Sequence, residues 1–97
     1  MIGNDLAEMT GDAIPRFPRG VRFQYDKVRE AWVVQAPERL FVPDEPATEV
    51  LKLVDGARSV DQIVDALAAM FDAPRAVIEA DVTEMLRELG AKGALTL

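Results

Sequence analysis

Glu38 to Phe71 reads ERLFVPDEPATEVLKLVDGARSVDQIVDALAAMF. Its first residues, Glu38 to Pro43, hold a short apolar run that proline stops, which predicts a strand over Arg39–Val42. Asp44 is placed to cap a helix, with Glu45 and Pro46 in a first turn that tolerates both an acid and a proline. Ala47, Val50, Leu51 and Val54 then recur at i, i+3, i+4 and i+7, so the helix Glu45–Val54 has one apolar face. Asp55-Gly56 turns the chain, with Gly56 free to take the positive φ that ends a helix. Ser59 with Gln62 forms a capping box. Val60, Ile63, Val64, Leu67 and Phe71 trace the apolar face of a second helix, Val60–Phe71. Strand, helix, turn, helix is the middle of a winged helix-turn-helix domain.

The residues before this stretch supply the rest of a sheet. Val21, Phe23 and Tyr25 alternate with Arg22 and Gln24, which predicts a half-buried strand over Val21–Tyr25. Asp26 to Glu30 is a turn, and AWVVQA (Ala31–Ala36) is a second strand rich in β-formers that Pro37 ends. Three strands joined by short turns form an antiparallel meander. Ala13 to Gly20 has two prolines and a glycine and reads as an extended lead-in that Phe17 pins to the domain. Met1 to Pro15 is read as a disordered tail or a linker to a fused neighbour, leaving 16–97 as the folded domain.

Beyond Phe71, Asp72-Ala73-Pro74 reads as a cap followed by proline at a helix start. Ile78, Val82, Met85, Leu86 and Leu89 form the stripe of a third helix, closed by Gly90 and followed by a short tail, Ala91–Leu97. The expected fold is α+β: a three-stranded antiparallel sheet followed by three helices. In such a meander the strand ending at Val42 has one strand neighbour only. Its free side presents unpaired N–H and C=O groups that can accept another chain as an added strand.

The composition excludes several chemistries. Ninety-seven residues allow one small domain, and they include no histidine and no cysteine. Disulfides, thiol nucleophiles, cysteine or histidine metal sites and a serine-histidine triad are therefore ruled out. Ser59 is the only serine, and its capping role accounts for it. The glycines sit singly at turns and form no phosphate loop. No apolar run is long enough to span a bilayer, and no signal peptide is visible at Met1–Asp12, so a cytoplasmic protein is expected.

Charge narrows the reading further. Residues 44–97 hold eleven acids against five bases, and residues 1–43 hold equal numbers, so the helical part carries the net charge of −6. Asp61, Asp65, Asp72, Glu79, Asp81, Glu84 and Glu88 are read as a solvated acidic face. That sign opposes nucleic-acid binding, which needs phosphate neutralisation. A winged-helix DNA-binding regulator is the alternative function, and its recognition helix would carry four acids against Arg75 and Arg87. A small enzyme or cofactor carrier is weaker still. Trp32 packs in the core or offers an aromatic contact to a partner. Arg16, Arg19, Arg22 and Arg29 form a solvated strand face or a contact for an acidic partner. The candidate binding residues are Arg39, Leu40, Phe41 and Val42 on the third strand, with Val82, Met85 and Leu89 on the third helix as one wall of a groove. Methionine suits an adaptable apolar groove.

Several segments in order resemble the PqqD family, the small peptide chaperones of pyrroloquinoline quinone biosynthesis. They are WVVQAPER (Trp32–Arg39), the strand ending Val42-Pro43, Leu53-Val54-Asp55-Gly56, and the capped start Ser59-Val60-Asp61-Gln62-Ile63-Val64. The likeness runs from about Arg16 to Leu95. It implies a winged helix-turn-helix recognition element for ribosomally made, modified peptides, with no catalytic residue and no cofactor. It implies two partners: the precursor peptide PqqA, held as an added strand against the third strand and third helix, and the radical-SAM enzyme PqqE, which crosslinks a Glu and a Tyr of that peptide. It implies no nucleic-acid or membrane partner. Some members are fused to another biosynthetic protein, and residues 1–15 depart from the family pattern. A monomer is expected, although an open strand edge also admits a domain-swapped dimer.

Overall fold

In the computed structural model, residues 10–97 are described. β1 (Arg22–Asp26), β2 (Ala31–Ala36) and β3 (Arg39–Phe41) form an antiparallel sheet in the order β1-β2-β3. Three helices follow: α1 (Glu45–Leu51), α2 (Val60–Met70) and α3 (Arg75–Ala91). This is the expected α+β order.

The register puts Phe23 opposite Val34 and Val34 opposite Phe41, so these three side chains share the inner face. Val34 is fully buried there. Phe23 stacks on Trp32 at 4.9 Å and on Phe17 at 6.0 Å, and Tyr25 meets Trp32 edge-on. Lys52 sits 5.3 Å from the Trp32 ring centre, a cation–π contact. Trp32 is thus half-buried in an aromatic row, in line with the packing reading of it. Beneath the sheet, Leu51, Ile63, Val64, Val82 and Leu86 are the most deeply buried helical residues.

Turn chemistry sets the element ends. The Asp26 and Asp55 carboxylates each accept two backbone N–H bonds, from Val28 and Arg29 and from Ala57 and Arg58. Each also pairs with the guanidinium three residues on, at 2.7 and 3.2 Å. Backbone N–H donation, Arg29 first in one case and Arg58 in the other, holds both carboxyls below the usual carboxylate range. Asp44 caps α1 through the Ala47 N–H, and the Ser59–Gln62 capping box starts α2. Gly56 has φ +78°, as its place in the turn requires.

Some boundaries differ from the sequence reading. β1 starts and ends one residue later than expected, and β3 stops at Phe41 rather than Val42. α1 stops at Leu51 rather than Val54, because Leu53 and Val54 bond three residues back, to Val50 and Leu51, in a tightened last turn. α2 ends at Met70, with Phe71 as its extended C-cap. Asp72 does not cap α3: Pro74 holds that position with no side-chain cap, its ring already fixing φ near −60°. Gly90 does not close α3 either. The helix runs on to Ala91, and Gly93 at φ +81° makes the left-handed turn instead. The Ala94 N–H then bonds the Leu89 carbonyl, which drops Ala94 and Leu95 into the core.

The N-terminal boundary differs most. Residues 1–9 of the expected tail lie outside the described residues. Residues 10–15 are docked rather than loose. The Gly11 and Ala13 carbonyls accept from the Asp61 and Val60 N–H groups at 3.0 and 2.8 Å, satisfying two donors that a helix start leaves open. Pro15 is buried, and Arg16 exchanges two 2.9 Å backbone bonds with Thr96. Sequence pattern missed this because the segment has no period of its own; it is ordered by what it caps. Arg75 ties α2 to α3 from outside, reaching Asp65 at 2.9 Å, Asp61 at 3.6 Å and Glu79 at 3.9 Å.

Removing residues up to Pro15 deletes both bonds to the start of α2. At about 0.5–1.5 kcal/mol each, this truncation is expected to destabilise the domain by about 1–3 kcal/mol in urea unfolding. An unchanged midpoint would mean the docked segment contributes nothing.

Candidate functional site

β3 is an edge. β2 pairs with one side of it, through Val34–Phe41, Gln35–Leu40 and Ala36–Arg39. Among the described residues no strand pairs with the other side. The bridge between Arg16 and Thr96 joins other segments, so the chain does not use it to close this border. Backbone hydrogen bonds link Arg39–Phe41 to no element other than β2 among the described residues.

The period of a strand divides the candidate side chains. Phe41 lies on the inner face and packs half-buried against the core. Arg39 shares that parity, and its guanidinium reaches the Lys92 carbonyl at 3.4 Å. That contact fixes the start of β3 beside the C-terminal end of α3. Leu40 points to the opposite face and is 39% exposed; Val42, just past the strand, is 58% exposed.

A groove of about 920 Å³ opens where β3 gives way to α1. One wall is the start of α1, from Asp44 to Val50. Another is the end of α2, with Leu67, Met70 and Phe71. The third is α3, from Ile78 to Glu88. Its floor is apolar: Val50, Leu67, Ile78 and Val82 are buried core residues that also face the groove, and Met85 is half-buried beside them. Met70 and Phe71 stand 55% and 49% exposed at its mouth.

The structure therefore brings part of the predicted set together. Val82 and Met85 line the groove, as the helix stripe predicts. Leu89 packs into the core and does not line it. Sequence reasoning did not anticipate the contribution of α1 and the end of α2. The helical stripe predicts a buried Phe71, whereas the chain leaves the helix there and Phe71 stands 49% exposed. The adjacent pair Met70-Phe71, one of them out of helical phase, was the available signal. The sequence places Asp81 and Glu88 on a solvated face; they are exposed, and they flank Ile78, Val82 and Met85 on the groove side of α3.

No metal-binding cluster of carboxylates exists among the described residues, and no helix there is long and apolar enough to cross a membrane. What the arrangement offers is a row of backbone donors and acceptors beside an apolar trough. Such a surface can bind an extended polypeptide by strand addition, with pockets for its side chains.

Comparison with known proteins follows the same lines. Residues 31–95 match the family model of coenzyme PQQ synthesis protein D (PqqD). A "PqqA binding protein" of Rhodopseudomonas palustris is 51% identical over 82 residues, which span 84% of this chain and 80% of that one. The "Bifunctional coenzyme PQQ synthesis protein C/D" of Methylorubrum extorquens is 49% identical over 89% of this chain but only 23% of its own length. The solution structure of the PqqD truncation of Methylobacterium extorquens PqqCD, described as a functional, stand-alone recognition element for ribosomally synthesised and post-translationally modified peptides, superposes with a TM-score of 0.79. It is 45% identical, covering 97% of this chain and all of that one.

If the outer border of β3 is open, its amides divide into two classes. Those bonded to β2 should exchange with deuterium slowly, and those facing outward orders of magnitude faster, while Val33 and Val34 of the central strand stay protected. Uniform protection along Arg39–Phe41 would mean that the border is already filled.

Proposed function

The chain belongs to the PqqD family, and from that premise we propose that it is a non-catalytic peptide chaperone of pyrroloquinoline quinone biosynthesis. It captures the precursor peptide PqqA by adding it as a strand to β3, and it presents that peptide to the radical-SAM enzyme PqqE. The observation that carries this reading is the unpaired border of β3 beside an apolar groove, in a chain whose relatives bear the name of PqqA-binding proteins.

The mechanism divides the work. Backbone hydrogen bonds along Arg39–Val42 hold any extended chain whatever its sequence. Register and specificity come from side chains, because strand addition alone would accept a slipped peptide. Val82 and Met85 offer an apolar wall, and the soft thioether of Met85 adapts to the side chain that arrives. Leu89 contributes from behind by holding α3 against the core. Handing the peptide to an enzyme requires that the hold be reversible. A three-residue edge suits this, since few ladder bonds must break. The relative fused to a C component shows that a domain of this kind can be joined to another biosynthetic protein. The domain acts as a monomer in the cytoplasm, either alone or joined to another protein of the same pathway as in that relative.

Titration with PqqA peptide should move the backbone amide signals of Arg39–Val42 and of Val82–Leu89. Met85→Asp sets a charge in the apolar wall of a half-buried position, so binding should weaken tenfold or more (about 1.4 kcal/mol or above) with the fold retained. Crosslinking by PqqE should fall in parallel. Signal changes confined to the basic side chains Arg16, Arg19, Arg22 and Arg29 would defeat this placement.

A further inference from the structure

The groove beyond the end of β3 has a property that strand addition does not explain. Its rim carries Asp44, Glu45, Glu49, Asp81, Glu84 and Glu88, and among the described residues no lysine or arginine lines it. Two of these acids have local work. Asp44 caps α1 through the Ala47 N–H, and Glu49 meets Lys52 at 3.3 Å. Glu45, Asp81, Glu84 and Glu88 make no ion pair among the described residues. Arg75, the first residue of α3, is engaged by Asp65 and Asp61 of α2 and by Glu79 of its own helix. Like charges set around an apolar trough from two separate helices repel one another, and a cation arriving between them relieves that repulsion.

Resting on the function proposed above, we propose that this groove is a second subsite for the same bound peptide, and that it selects a flank carrying a large apolar side chain next to a lysine or arginine. Three observations argue for that occupant. The groove begins close to the strand border: Asp44, three residues past the end of β3, lines it, and Arg39 at the start of β3 reaches the Lys92 carbonyl at the end of α3. On this proposal the flank of a chain paired with Arg39–Phe41 continues past Val42 into the trough. The floor, with Met70 and Phe71 exposed at the mouth, has room for a bulky apolar anchor. The rim then meets the cation by charge, while the stem of a lysine or arginine lies along apolar surface. A peptide flank that is acidic would be rejected, which gives the domain a way to distinguish extended chains that the backbone bonds alone would accept equally.

The test uses the whole chain and the precursor peptide at about 50 mM and about 500 mM NaCl, which change the screening length severalfold. One protein variant carries Asp81→Asn, Glu84→Gln and Glu88→Gln, all exposed positions whose neutral replacements keep the helix. A second peptide has its lysines and arginines replaced by glutamine. Binding by the variant is expected to be about fivefold weaker or more at low salt, and the difference should shrink at high salt. The neutralised peptide should lose affinity for the parent chain but bind parent and variant alike. Amide shifts along Arg39–Val42 should persist in every pairing. Equal or tighter binding by the variant at low salt overturns the subsite while leaving strand addition intact. Absence of any Arg39–Val42 shift with the parent protein overturns the strand-addition reading, and the subsite with it.

Discussion

Every backbone N–H and C=O needs a partner or water, and β3, like β1 at the other edge of the sheet, leaves that requirement open on one side among the described residues. The strand is three residues long because proline stands on either side of it, at Pro37 and Pro43. At one end the two-residue turn Pro37-Glu38 joins β3 to β2 and closes the pairing, and at the other Pro43 supplies no ladder donor to extend it. The short length also protects the chain. A long, flat apolar edge would recruit other copies, whereas three residues hold a guest only when side chains add to the backbone bonds. On the function proposed above, the same short edge that disfavours pairing between copies leaves selectivity to the side chains of the groove.

α3 supplies that dependence while also closing the core. Ile78, Val82, Leu86 and Leu89 bury its inner stripe, and Met85 lies at the margin of the same stripe. One helix thus presents core, groove wall and acidic rim within about three turns. Its position is fixed from several directions. Arg75 ties its start to α2, the Gly93 turn folds Ala94 and Leu95 beneath its end, and the Arg16–Thr96 pair anchors the tail that follows. The docked residues 10–15 belong to this frame, since they cap α2, which α3 packs against.

The architecture was largely legible from residues 21–89. Alternation in Val21–Tyr25, the β-rich run AWVVQA and the two capped apolar stripes specify their elements locally, and each local signal agrees with the final fold. The strand border was legible for the same reason: in a meander the last strand has one neighbour. What stayed hidden depends on contacts distant in sequence. Gly11 and Ala13 gain order only from the N–H groups of residues 60 and 61. Leu95 is buried only because Gly93 reverses the chain. The groove is assembled from α1, α2 and α3, and no single stripe reports that Phe71 turns outward or that acids from two helices face the same trough. Leu89 shows the converse limit: a position on the right helical face lies in the core because the tail covers it.

The claim that a guest peptide becomes the fourth strand is tested most directly by nuclear Overhauser contacts in the complex of isotope-labelled chain with unlabelled PqqA. The account predicts cross-strand contacts between peptide backbone protons and those of Arg39, Leu40 and Phe41, in a single register. Contacts made instead along the free side of β1, or to side chains alone with no backbone pairing at β3, would contradict it.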